Sequence, residues 1–203
     1  MKHQHYLNAA LRPDLRALAH MLNHCPRHQR LERLYTHAVE QDDVPLVAVL
    51  LDSGIPVDRV TGRRSGAARA ARSAAMLALL LARGARADAR CARNDTALHA
   101  AVRLNSMAMV RVLLPALDVD ARNDFGSTPL HYAAAAPAAR RAAAATNADI
   151  IRALLARAAD VNAADRNGRT PLDKARTRKA HPGAIEVLRD AGARSRFELK
   201  GVK

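Results

Sequence analysis

The sequence predicts an all-α solenoid, a stack of short helix pairs, and three observations carry that expectation. A motif recurs at Thr96-Ala-Leu-His99, Thr128-Pro-Leu-His131 and Thr170-Pro-Leu-Asp173. Apolar residues fall at helical spacing, as in Leu15, Leu18, Met21 and Leu22, and again in Leu46, Val47, Leu50 and Leu51. Of the 203 residues 46 are alanine, with two Phe, three Tyr and no Trp, which excludes a thick core of large aromatics and favours thin, closely packed helical layers. Self-similarity at a fixed period means units that bury their apolar faces only by stacking.

Leucine pairs phase the units. The first, Met21-Leu22, follows Ala9-Ala10 and marks residues 1–30 as a degenerate N-terminal capping helix pair. Leu50-Leu51 leads into Gly54, and Leu80-Leu81 into Gly84; a glycine there can take the left-handed conformation that ends a helix. Leu113-Leu114 and Leu154-Leu155 end the next two units. Val187-Leu188 precedes Gly192, either with an extra residue or with a one-place shift. The steps between pairs are 29, 30, 33, 41 and 33 residues, so early units are trimmed and one is expanded. About five repeats over 31–194 follow the cap, and 195–203 is read as a basic tail.

Local signals agree with this phasing. Thr128-Pro129 and Thr170-Pro171 each place a capping hydroxyl before a proline at the first helical position. Ala100-Ala101 and Ala133-Ala134 would let inner helices pack closely. Gly126, Gly168 and Asn94 precede the motif threonines by two, where a hairpin-like turn calls for positive φ. About nine extra residues lie between Ala136 and Asn147; their alanine content predicts an added turn or short helix between the inner and outer helices. Residues 61–94 carry Arg63-Arg64-Ser65-Gly66 where the motif should be, which predicts the weakest unit of the stack.

The pattern T-P-L-H-x-A-A followed by L-L-x-x-G-A-x-V-N resembles the ankyrin repeat. The resemblance implies an ankyrin-type α-solenoid and a non-catalytic scaffold for protein-protein interaction. It gives His99 and His131 a structural role, bonding to the motif threonine and neighbouring backbone. Asp173 at that position is a departure expected to weaken the network near the C-terminal end. The resemblance also implies binding through turn tips and the exposed side of the inner helices. On this sequence the tips offer Arg59, Arg63, Arg64, Arg90, Arg93, Arg122, Phe125, Arg166 and Arg169. The inner helices offer Glu40, Arg103 and Tyr132, the last following the motif histidine. An exposed aromatic on a binding face is a natural hot spot, and either aromatic could instead pack against the next unit.

Charge narrows the partner. The formal net charge is +14, but residues 1–60 and 95–165 each balance seven basic against seven acidic residues. The excess sits in 61–94 and 166–203, +7 in each. A protein partner, which the ankyrin resemblance implies and which the charge would make an acidic one, is the first expectation. Arginine-mediated binding of nucleic acid or another polyanion is the second, without the aromatic interleaving that stacks single-stranded bases. A bacterial effector acting on a host protein is a further alternative, since alanine and arginine enrichment looks bacterial.

Enzymatic chemistry is not signalled. No Ser/His/Asp constellation and no glycine-rich phosphate loop is present. His20, His24, Cys25 and His28 form the most metal-like cluster, yet their spacing matches no closed zinc pattern, so neither metal nor cofactor is expected. Two cysteines suit a reducing compartment. With no long apolar run and no apolar segment after the first residues, a cytoplasmic monomer is expected, away from membranes.

Overall fold

The computed structural model describes residues 28–58, 71–91, 93–136 and 141–201, and its regular elements there are helices. The chain divides into two compact units, one ending at Arg86 and one beginning at Ala87. The capping pair, the zinc-like cluster apart from the backbone of His28, and Arg59, Arg63 and Arg64 lie outside the described residues.

In the first unit, α1 (His28–Glu40) packs against α2 (Val44–Asp52), and α2 against α3 (Ala74–Ala82). The first of these helices crosses the boundary expected between 30 and 31. Tyr35, Val39, Val47, Leu50, Met76, Leu77 and Leu80 are fully enclosed. Among the described residues Tyr35 is the one large aromatic of this core, and its hydroxyl donates to the carbonyl of Val57 at 2.8 Å. Burial, helped by the Asp58 carboxylate, holds that phenol well above its ordinary pKa, so it stays a donor. Asp43 and Ser73 cap α2 and α3 by accepting from Leu46 N and Met76 N. The Ser73 hydroxyl also donates to Asp42 Oδ1 at 2.9 Å, which ties the start of α3 to the α1–α2 turn.

The described residues of the second unit form three helix pairs: α4 (Ala97–Arg103) with α5 (Met107–Leu113), α6 (Pro129–Ala134) with α7 (Arg141–Ala156), and α8 (Pro171–Thr177) with α9 (Pro182–Asp190). A last turn, α10 (Arg196–Leu199), is capped by Ser195. The inner helices stack in the order α4, α6, α8. Ala100, Ala101, Ala133, Ala134 and Ala175 are all buried along this row, so methyl groups set the close approach of the helices. Leu113, Leu154 and Leu188 are completely enclosed on the outer helices. The buried leucine of the last pair is Leu188, while Val187 is partly exposed, which resolves the register there as a one-place shift.

One expectation is met in its first form and another is revised. The described part of the insertion adds turns to the outer helix: residues 141–146 continue into 147–156 as the single helix α7, about two turns longer at its start than α5. Alanine makes the extension cheap, because it has the highest helix propensity. The segment from 195 is not simply a tail. Ser195 is buried, and Arg196 N–H donates to Asp173 Oδ2 at 2.9 Å, so the capped turn is fastened to α8.

Candidate functional site

The turns before each inner helix are built on one repeated device. At the position four before the motif threonine's neighbour, a side chain folds back to accept the N–H of residues just ahead. Asn123 Oδ1 accepts from Phe125 N and Ser127 N, at 2.9 and 3.0 Å. Asp165 Oδ1 accepts from Asn167 N and Arg169 N, both at 2.9 Å. Cys91 Sγ takes the equivalent place toward Arg93 N at 3.4 Å. The turns then need a left-handed residue, supplied by Asn94 (φ 62°), Gly126 (φ 70°) and Gly168 (φ 68°). Gly126 is required twice over, since a Cβ there would sit 2.8 Å from Arg166 N.

Neighbouring turns are then laced together. Asp124 N–H donates to Arg93 O and Arg166 N–H to Phe125 O, each at 3.0 Å. Arg90 Nη1 donates to Asn94 O in its own turn and to Arg122 O in the next. Arg122 repeats the arrangement on Gly126 O and Ala164 O, at 3.3 and 2.6 Å. Both guanidinium groups therefore fasten one repeat to the next.

The histidines complete the seam. His99 Nδ1 and His131 Nδ1 accept from the backbone N–H of Thr96 and Thr128, at 3.2 and 3.1 Å. That leaves the proton on Nε2, which donates to Ser127 O and Arg169 O, each at 3.0 Å. Burial pushes both imidazoles below their ordinary pKa, against the opposing pull of those carbonyls. They are neutral cross-links between repeats.

Asp173 overturns the expectation that it weakens this network. Its Oδ2 accepts from Thr170 N at 3.0 Å and from Arg196 N at 2.9 Å, while Thr170 Oγ1 donates to Arg194 O at 2.8 Å. A carboxylate works here because the following segment offers an N–H to that oxygen rather than a carbonyl.

On the exposed side of α4, α6 and α8 an open cleft of about 490 Å³ lies between the turns and the helix ends. Ala135, the residue that caps α6, and Ala136 line it, between longer side chains contributed by both neighbouring helices. Phe125 rises at the turn edge, 52% exposed. Arg103 borders the cleft from α4, and Lys174 and Arg178, four residues apart and so on one face of α8 and its end, from the other side.

The charges around the cleft differ in how they are engaged. Lys174 Nζ lies 2.8 Å from Asp165 Oδ2. Burial alone would raise the Asp165 pKa, but Lys174 and the turn N–H groups outweigh it and hold the carboxyl low. Arg103 stands at 4.0 Å from Asp95 Oδ2, an oxygen of a buried residue whose other oxygen accepts from Asn123 Nδ2. Among the described residues Arg178 is exposed with no ion-pair partner.

The candidate residues from the sequence thus divide into groups. Arg103, Phe125 and Tyr132 meet in the cleft. Tyr132 is half-buried rather than fully presented: its ring packs edge-on against His99 at 5.6 Å, and its hydroxyl accepts from Asn123 Nδ2 at 3.0 Å. Arg90 and Arg122 are exposed but belong to the seam, and Arg93, Arg166 and Arg169 lie exposed on the turns. Glu40 is exposed in the first unit. Lys174 and Arg178 were not singled out by the sequence, although their i, i+4 spacing beside the third motif is the signal that would have found them.

Comparison with known proteins agrees with this construction. A family model of ankyrin repeats in three copies matches residues 37–141, and a single ankyrin-repeat model matches 125–166. The chain belongs to the ankyrin-repeat family. Ankyrin repeats generally mediate protein-protein interaction and are typically non-catalytic scaffolds. No curated protein sequence matches the chain. Among the described residues no helix of this ankyrin-repeat protein is long and apolar enough to cross a membrane, and no group of His, Cys, Asp and Glu is arranged to hold a metal ion.

Proposed function

We propose that this ankyrin-repeat protein is a non-catalytic docking module that holds a polypeptide partner in the cleft across α4, α6 and α8. The observation that carries the reading is Phe125, a large aromatic half-exposed at the rim of an open, mostly apolar depression. Such a side chain costs free energy in water and contributes to binding once a partner covers it. Arg103, Tyr132, Lys174 and Arg178 frame the same depression, so anchor and orienting charges share one surface. The turn residues Arg93, Arg166 and Arg169 extend it toward the tips.

Free Cys91 fits work in a reducing compartment, the cytoplasm by default, and the chain acts as a monomer in this reading. A photo-crosslinking residue placed at Phe125 should capture a polypeptide partner, whereas one placed at Val112 on the outer helix should not. Equal capture at both positions, or capture at Val112 alone, would remove the cleft from the account.

A further inference from the structure

The cleft has a chemistry that selects among polypeptides. Its lining includes the apolar side chains of Val102, Ala135 and Ala136 together with the Phe125 and Tyr132 rings. Its flanks are cationic on both sides of α6, with Arg103 on one neighbour and Arg178 on the other. The carboxylate facing it, Asp165, is already neutralised by Lys174 and by two turn N–H groups. A ligand therefore meets an apolar depression with unbalanced positive charge to either side.

We infer that the cleft takes an extended peptide in which one apolar side chain, flanked by carboxylates, sits over Ala135 and Ala136. Arg103 and Arg178 receive the flanking carboxylates. The inference rests on the docking surface proposed above and adds the partner's chemistry. Arginine suits the role because its planar fork pairs with a carboxylate through two N–H groups, and because it is charged at every relevant pH. Arg178 loses no native ion pair in doing so, and Arg103 gives up only a contact at 4.0 Å. Nucleic acid fits less well. Phe125 is the one large aromatic of the cleft with an open face, Tyr132 is committed to His99 and Asn123, and sequence-tolerant strand binding needs successive stacking platforms.

The alanines make the test clean. Ala135 and Ala136 line the cleft and are partly exposed, unlike the buried Ala133 and Ala134, so a leucine at 135 adds bulk on the cleft side of the packed row. Fluorescence anisotropy of the full chain would compare three labelled peptides: a leucine flanked by glutamates, the same peptide with lysines, and the same with serines. A single-stranded oligodeoxynucleotide serves as the polyanion probe. Circular dichroism and a melting curve check that each variant is folded.

The glutamate-flanked peptide should bind best and more weakly at high salt. Arg178→Glu should weaken it about tenfold, Phe125→Ala roughly thirtyfold, and Ala135→Leu should abolish saturable binding. If the three peptides bind alike and Ala135→Leu abolishes all of them, the docking surface stands and the acidic preference is overturned. If the glutamate peptide binds but ignores both Ala135→Leu and Phe125→Ala, the docking surface itself fails. Tighter binding of the oligonucleotide, lost on Arg178→Glu, or no saturable binding of the glutamate peptide, overturns the inference as well.

Discussion

The repeats that begin at Thr128 and Thr170 reach the same local geometry with opposite chemistry. In the first, neutral His131 accepts from Thr128 N and passes a proton donor on to Arg169 O. In the second, Asp173 accepts at both ends, from Thr170 N and from Arg196 N. The inner end of the bond is identical, and only the outer end is reversed. What differs is the neighbour: another turn presents a carbonyl, whereas the closing segment presents the N–H of a capped helical turn. The residue at this position is chosen by the polarity of the repeat that follows it, and substitutions can expose that dependence.

The largest effect should come from His131→Asp. A buried carboxylate would then face Arg169 O with no donor between them, and we expect a loss of about 3 kcal/mol in urea unfolding, with Lys174 and Arg122 nearby limiting it. A stability within error of the parent chain would show that the polarity of the outer end does not matter.

Acid should separate the repeats next. His99 and His131 are held below their ordinary 6.5 in the folded state. The unfolded chain therefore binds more protons between the folded value and 6.5, so the stability from these groups is fully present above 6.5 and is lost as pH falls below it. Amide exchange, corrected for intrinsic rates, should show 96–135 losing protection between pH 7.5 and about 5 while 170–199, without an imidazole at this position, loses less. Uniform loss across both segments would contradict the assignment.

The converse substitution, Asp173→His, keeps the Thr170 N bond but turns a donor toward Arg196 N. Its expected cost is about 1–2 kcal/mol, smaller because Asp173 is only partly buried. Loss of Ser195 and Arg196 amide protection would report it, and undisturbed protection there would sink it.

The smallest effects concern the ends of outer helices. Gly192 has φ 82°, whereas Ala158 holds the corresponding left-handed turn at φ 60°. A left-handed alanine costs about 1 kcal/mol, so Ala158→Gly should raise the melting temperature by a few degrees. Gly192→Ala should lower it similarly, for conformational reasons alone, since its Cβ would meet nothing within 4 Å. A Tm shift of the same sign in both variants would defeat the comparison.

Much of this architecture was readable in the residues themselves. The capping threonines, the helical spacing and the buried leucines are local signals, each contained within one turn or one helix. The seam is not local. Arg90 and Arg122 look like free tip charges until the next repeat brings a carbonyl to them from 32 and 42 residues away. The turn acceptors were hidden because Cys91, Asn123 and Asp165 are three residue types doing one job. Asp173 looked like a defect because the donor that completes it lies 23 residues on. The cleft escaped for a different reason: Ala135 and Ala136 carry no functional group to single out, and a depression is made by what side chains leave empty.

Among the exposed arginines of the second unit, Arg90 and Arg122 hold the stack, whereas Arg103 and Arg178 face the cleft. Paired melting curves and glutamate-peptide anisotropy on Arg122→Met and Arg178→Met test this division most directly. Arg122→Met should lose about 1 kcal/mol of stability with peptide affinity unchanged, while Arg178→Met should melt like the parent and bind more weakly. The reverse pattern, or equal losses of affinity in both variants, would contradict it.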